Sequence, residues 1–140
     1  MPRSPTARSL ELLRSLGYIA QVVEQWIPQA RRRRDLYGVI DVLAIRHGEI
    51  LGVQATTENN RHARQHKIMD DAALSGEWLD AGGKLEVWAW KLRNGRWQCR
   101  RVEVRARENT HLLELLDNGW HIPGECERDA IEVQDQQSNT

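Results

Sequence analysis

Asp41 and Gln54 are polar side chains set inside otherwise apolar sequence, in DLYGVIDVLAIRHGEILGVQATT at residues 35–57. An acid and an amide among Val39, Ile40, Val42 and Leu43 offer oxygen donors of the kind that hard divalent cations take. Their spacing shows how they would meet. The apolar runs 39–45 and 50–55 are separated by Arg46-His47-Gly48-Glu49, and Gly48 supplies the positive φ of a tight hairpin turn. With His47-Gly48 as a two-residue turn, Arg46 faces Glu49, Asp41 faces Gln54 and Val39 faces Thr56. Facing residues share one side of the sheet, with Cβ atoms about 4.5–5.5 Å apart. A carboxylate left alone there would be poorly solvated. Two readings remain open: Gln54 or an arginine donates hydrogen bonds to Asp41, or the pair coordinates a divalent metal whose charge offsets the desolvation.

Cationic side chains accompany the pair. Residues 30–35 read ARRRRD, so Arg31, Arg32, Arg33 and Arg34 immediately precede the strand that carries Asp41. Four adjacent cations form either a solvated loop or a site of phosphate attraction. Arg61, Arg64 and Lys67 follow a three-residue step just after Thr57, which puts them on one flank of a helix. His62 and His66 form an i,i+4 pair, but no third ligand accompanies them, so they read as surface histidines and not as a zinc site.

The elements that must position these residues follow from pattern. A helix is expected from Ser4 or Thr6 to Ser15, with Thr6 as a cap and Gly17 as the stop. Residues 18–26, YIAQVVEQW, read as a strand with Glu24 near its far end, closed by Pro28. After the hairpin, Glu58-Asn59-Asn60 caps a helix at 61–81 whose buried stripe is Ile68, Ala72, Trp78 and Leu79, stopped by Gly82-Gly83. Strands are expected at 84–91 and 97–104 around an Asn94-Gly95 turn, the second as an arginine-rich edge. Trp88, Trp90 and Trp97 read as core, with base stacking as the other option. Residues 110–116, THLLELL, are expected to form a short helix.

The chain of 140 residues suits one domain over residues 1–123 and an acidic, disordered tail over 124–140. Lys+Arg and Asp+Glu number 20 each, yet the first 34 residues carry seven Arg against two Glu. No apolar run reaches membrane-spanning length, and MPRSPTARS has no apolar core to act as a signal peptide. Cys99 and Cys126 form no disulfide framework, so a soluble protein of the cytoplasm, with no membrane partner, is expected.

The order helix, strand, hairpin, helix, strand, strand, with GVIDVLAI and GVQAT on the hairpin, resembles the PD-(D/E)xK nuclease superfamily over residues 6–104. The small members, Holliday-junction resolvases and phage-type nucleases, are the most similar. The resemblance implies an α/β restriction-endonuclease-like fold, an αβββαββ core with a mixed central sheet flanked by helices. It sets Asp41 at the family's metal-binding aspartate, Gln54 where Glu or sometimes Gln stands, and Ala55 where a backbone carbonyl meets the metal. Thr56 stands where the catalytic lysine is expected, a departure that removes a positive charge. Lys67, or Arg64, from the following helix could replace it, and Glu24 or Asp35 could restore the negative charge lost at Gln54, with Glu24 preferred.

The implied activity is hydrolysis of DNA phosphodiester bonds with Mg²⁺ or Mn²⁺. Asp41, Gln54 and Ala55 would hold the ion, and Glu24, Thr56 and Lys67 would assist. Arg31 to Arg34, Arg61, Arg64 and Lys67 would hold the DNA backbone. Analogy with resolvases leaves a homodimer open, with the strand 85–90 or the helix end at Trp78 as its candidate face. If the chain is phage-encoded it would act in the host cytoplasm. The competing reading is a catalytically impaired nuclease fold that binds DNA or a protein without cutting, and a third is an anti-host or structural scaffold.

Overall fold

A computed structural model describes residues 3–108, 110 and 112–124. The chain runs through helix α1 (Pro5–Ser15) and strands β1 (Ile19–Val22), β2 (Gln25–Ile27), β3 (Arg32–Arg34), β4 (Val42–Arg46) and β5 (Glu49–Thr57). Helices α2 (Arg61–Asp70) and α3 (Ala72–Asp80) follow, then β6 (Gly83–Arg93), β7 (Arg96–Ala106) and β8 (Leu113–His121). Six strands form one mixed sheet in the order β1-β4-β5-β6-β7-β8, while β2 and β3 form a separate two-stranded ribbon. The architecture is mixed α/β, a six-stranded sheet flanked by helices. No helix among the described residues is long and apolar enough to cross a membrane.

Alternation along the strands sorts the core into two layers. Leu51 and Val53 of β5, with Trp88 and Trp90 of β6, pack against Leu12 and Leu13 of α1. The opposite face gathers Leu85 and Val87 with Ile40 and with Ile68 of α2. Trp88 and Trp90 are therefore core side chains, with Trp90 Nε1 donating to Ser9 Oγ at 2.9 Å, whereas Trp97, also expected in the core, is exposed. The β5–β6 pair is parallel, with α2 and α3 as its crossover, so Gln54 lies beside Val87 and Ala55 beside Trp88. Gln54 and Thr56 thus face the α2 layer, while Ala55 faces α1.

The β4–β5 hairpin has the expected turn: Arg46 pairs with Glu49, and His47 and Gly48 both take positive φ, at 48° and 77°. Elsewhere the structure corrects the sequence reading. The cap of α1 is Ser4, whose hydroxyl accepts from the Ala7 N–H at 3.1 Å, and not Thr6. The expected strand 18–26 breaks at Glu24 into β1 and β2. Of the arginine run, Arg32–Arg34 form a strand, β3, and Arg31 stays in the turn before it. The expected helix 61–81 is interrupted at Asp71, which leaves Ala72 exposed and out of the buried stripe.

Strand β7 is not an edge, because β8 pairs along it. Residues 113–116 belong to that strand and not to a helix. Leucine and glutamate favour helix locally, but the open edge of β7 offers backbone partners that outweigh so weak a preference. The strand 85–90 lies inside the sheet and cannot serve as a dimer face. The expected tail over 124–140 lies outside the described residues from 125 onward.

Gly83 opens β6 where the chain passes closest to Trp78. A Cβ there would stand 2.5 Å from Trp78 Cε2, and the indole Nε1 donates to Lys84 O at 2.8 Å. Gly83→Ala is expected to displace the ring and destabilise the protein by about 1–3 kcal/mol. Urea unfolding should show a lower midpoint with an unchanged slope.

Candidate metal centre

Three carboxylates reach one point through successive strand pairings. In the β2–β3 ribbon Gln25 pairs with Arg34, so the next step of that register sets Glu24 opposite Asp35. Leu36 and Ile40 form an isolated antiparallel bridge, closed through Tyr37 and Gly38 at φ 54° and 74°. The step outside that bridge sets Asp35 opposite Asp41. Oxygen atoms of Glu24, Asp35 and Asp41 all lie within 4.8 Å of one another.

Asp41 is held firmly. Its N–H donates to Val53 O at 2.9 Å and its carbonyl accepts from Val23 N–H at 2.8 Å, which pins the backbone between β1 and β5. The β4–β5 ladder ends at Val42–Val53, so residues 39–41 are not the strand that the apolar run suggested. The carboxylate reaches across instead. Its Oδ2 accepts from Gln54 Nε2 at 2.7 Å and from the Ala55 N–H at 2.9 Å. Within a strand the N–H and C=O of one residue point to the same edge, so the Ala55 carbonyl also faces the Asp41 side.

The electrostatics of this arrangement are unfavourable without a counter-charge. Asp41 is 3% exposed. Burial first, then the Asp35 and Glu24 carboxylates, push its carboxyl up to about 8, against the Ala55 N–H, which favours the ionised form. Gln54 is 1% exposed, and its Oε1 is buried with no hydrogen-bond partner. A buried amide oxygen without a donor loses solvation with no compensation. A cation held by the three carboxylates would offset the first of these costs.

Cations stand around the acids. Arg33 donates to Glu24 at 2.9 Å, and Lys67 Nζ lies 3.3 Å from Asp35 Oδ2. All these groups line a pocket of about 320 Å³, together with Ala55, Thr56, Arg64, Asn60 and the Ser4–Thr6 start of α1. The pocket therefore gathers Glu24, Asp41, Gln54, Ala55, Thr56, Arg64 and Lys67 from the sequence reading. Arg61 is not among them. It is buried, bonded to Glu58 and to Gln65, and has no open face for DNA. His62 and His66 are exposed and belong to no metal-ligating cluster among the described residues.

Sequence reasoning treated Glu24 and Asp35 as alternatives, whereas the structure holds both. The missed signal was Tyr37-Gly38, a turn that folds Asp35 back onto Asp41. A larger cavity of about 590 Å³ lies between α1 and the end of β8, but its carboxylate, Glu11, stands alone among arginines and aromatic rings. No family model, curated protein or solved structure matches the chain.

Proposed function

We propose that the protein is a divalent-metal-dependent DNA endonuclease of the PD-(D/E)xK type. The observation that carries this reading is the convergence of Glu24, Asp35 and Asp41, with oxygens within 4.8 Å of one another, in a pocket that Gln54 also lines and that Arg33, Arg64 and Lys67 rim. The order of elements supports it: a hairpin bearing Asp41 and Gln54-Ala55-Thr56, followed by a helical crossover to a parallel strand.

The donor set is all oxygen, three carboxylates with an amide and a nearby carbonyl, and so fits Mg²⁺ or Mn²⁺ better than zinc. Such an ion, when bound, lowers the pKa of water and neutralises charge on a phosphate. The protein's own groups do the rest. Glu24 and Asp35 supply the negative charge that Gln54 lacks. Asp35 holds Lys67 toward the pocket, where its ammonium can stabilise charge developing on phosphate oxygens. The Thr56 hydroxyl can position a water but adds no charge. Arg31, Arg32 and Arg34 are exposed beside the pocket and attract the DNA backbone in a salt-sensitive way.

The test is nicking of supercoiled DNA in Mg²⁺, Mn²⁺ or EDTA. Cleavage should require the ion, and Lys67→Ala should slow it about ten- to a hundredfold while leaving Mn²⁺ uptake intact. A second reading is favoured by Thr56, a neutral side chain where a catalytic lysine is expected: the fold would bind DNA without cutting. DNA affinity that persists in EDTA, with no cut strands in any metal, would decide for that reading.

A further inference from the structure

Trp26 is 56% exposed, although indole is among the side chains with most to gain from burial. Single exposed apolar residues are ordinary. What distinguishes this one is its setting. It lies on the β2–β3 ribbon, which pairs with no strand of the main sheet, and it faces Arg33 across that ribbon. Arg33 therefore shares the indole's face, Arg32 and Arg34 project from the opposite one, and Arg31 is exposed at the turn that joins the two strands. The base of the ribbon carries two carboxylates of the candidate metal centre, Glu24 just before β2 and Asp35 just after β3. Trp26 follows Glu24 by two residues, so the indole is rooted no more than about 7 Å along the chain from the site.

We propose that this ribbon grips single-stranded DNA at the mouth of the metal centre, with Trp26 stacked on an unpaired base and its phosphates met by Arg33, on the same face, and by Arg31 at the turn. The proposal rests on the nuclease reading and narrows its substrate to DNA with an unpaired segment. An indole flanked by cations is the usual platform for a single strand, because every base has a face to stack and every nucleotide a phosphate. In an intact duplex the base faces are already covered, and only the arginines would find partners. Because Glu24 and Asp35 sit at the ribbon's root, a strand held on it would be delivered to the carboxylates.

The experiment is fluorescence anisotropy with a labelled single strand, a blunt duplex of the same sequence and a duplex carrying a single-stranded flap, all in EDTA, alongside a cleavage assay in Mn²⁺. The single strand and flap are expected to bind more tightly than the blunt duplex. Trp26→Ala should weaken single-strand and flap binding roughly tenfold and leave duplex binding unchanged. Trp26→Phe should recover part of the loss, and Arg31→Ala with Arg33→Ala should flatten the salt dependence for all three probes. Equal affinity of wild type and Trp26→Ala for the single strand would overturn the proposal and point the indole toward a protein partner. So would no binding of any probe. The two failures are distinguishable: Trp26-dependent binding without cleavage sinks the nuclease reading alone, and cleavage indifferent to Trp26 sinks the ribbon alone.

Discussion

Asp41→Asn should fold, melt at a higher temperature than the wild type in EDTA, and cleave DNA about a hundred- to a thousandfold more slowly. The substitution keeps the shape of the side chain and an oxygen to accept from Gln54 or the Ala55 N–H. It removes one of three carboxylates whose oxygens lie within 4.8 Å of one another. A residue retained only for structure would behave in the opposite way. Loss of a merely structural hydrogen-bond acceptor lowers stability and leaves chemistry to others. Parallel thermal unfolding and nicking rates separate the two. A variant that is both less stable and fully active would assign Asp41 to the scaffold.

The stability gap between these two proteins should depend on pH. Asp41 in the folded protein is pushed up to about 8, well above its value in an unfolded chain. Between roughly pH 4 and pH 8 the unfolded state has lost this proton while the folded state keeps it. Stability from this group is therefore fully present below about pH 4 and falls as pH rises toward 8. Asparagine does not titrate, so in EDTA the advantage of Asp41→Asn should grow across that window, by a few kcal/mol at most. Millimolar Mn²⁺ at pH 8 should raise the wild-type melting temperature by several degrees and close the gap. Thermal scans at several pH values would show this. A gap that stays flat from pH 5 to pH 8 would mean that Asp41 ionises freely in the folded protein.

Much of the site was legible because it rests on local chemistry. Gly48 and its β-branched flanks fix the β4–β5 turn, and that turn sets which residues of β5 approach Asp41. The helical crossover to a parallel strand follows from amphipathic sequence between two apolar runs. Other features depend on contacts that no short window contains. Glu24 and Asp35 meet because a three-residue ribbon interrupts the sheet, and residues 32–34, all arginine, carry no strand signal of their own. Residues 113–116 favour helix locally and become strand only because β7 needs a partner. Arg61 fits a cationic stripe by spacing, yet Glu58 and Gln65 draw it inward. The hairpin register led to Asp41 and Gln54, but the joining of Glu24 and Asp35 at one site had to come from packing.

The most direct measurement is calorimetric titration of Mn²⁺ into the metal-stripped wild type and Asp41→Asn at pH 8. The wild type should take up the ion saturably, with loss of that heat in the variant and weaker uptake in Glu24→Gln and Asp35→Asn. A wild type that takes up no Mn²⁺, or an Asp41→Asn protein that takes it up equally well, would contradict a metal centre built on these acids.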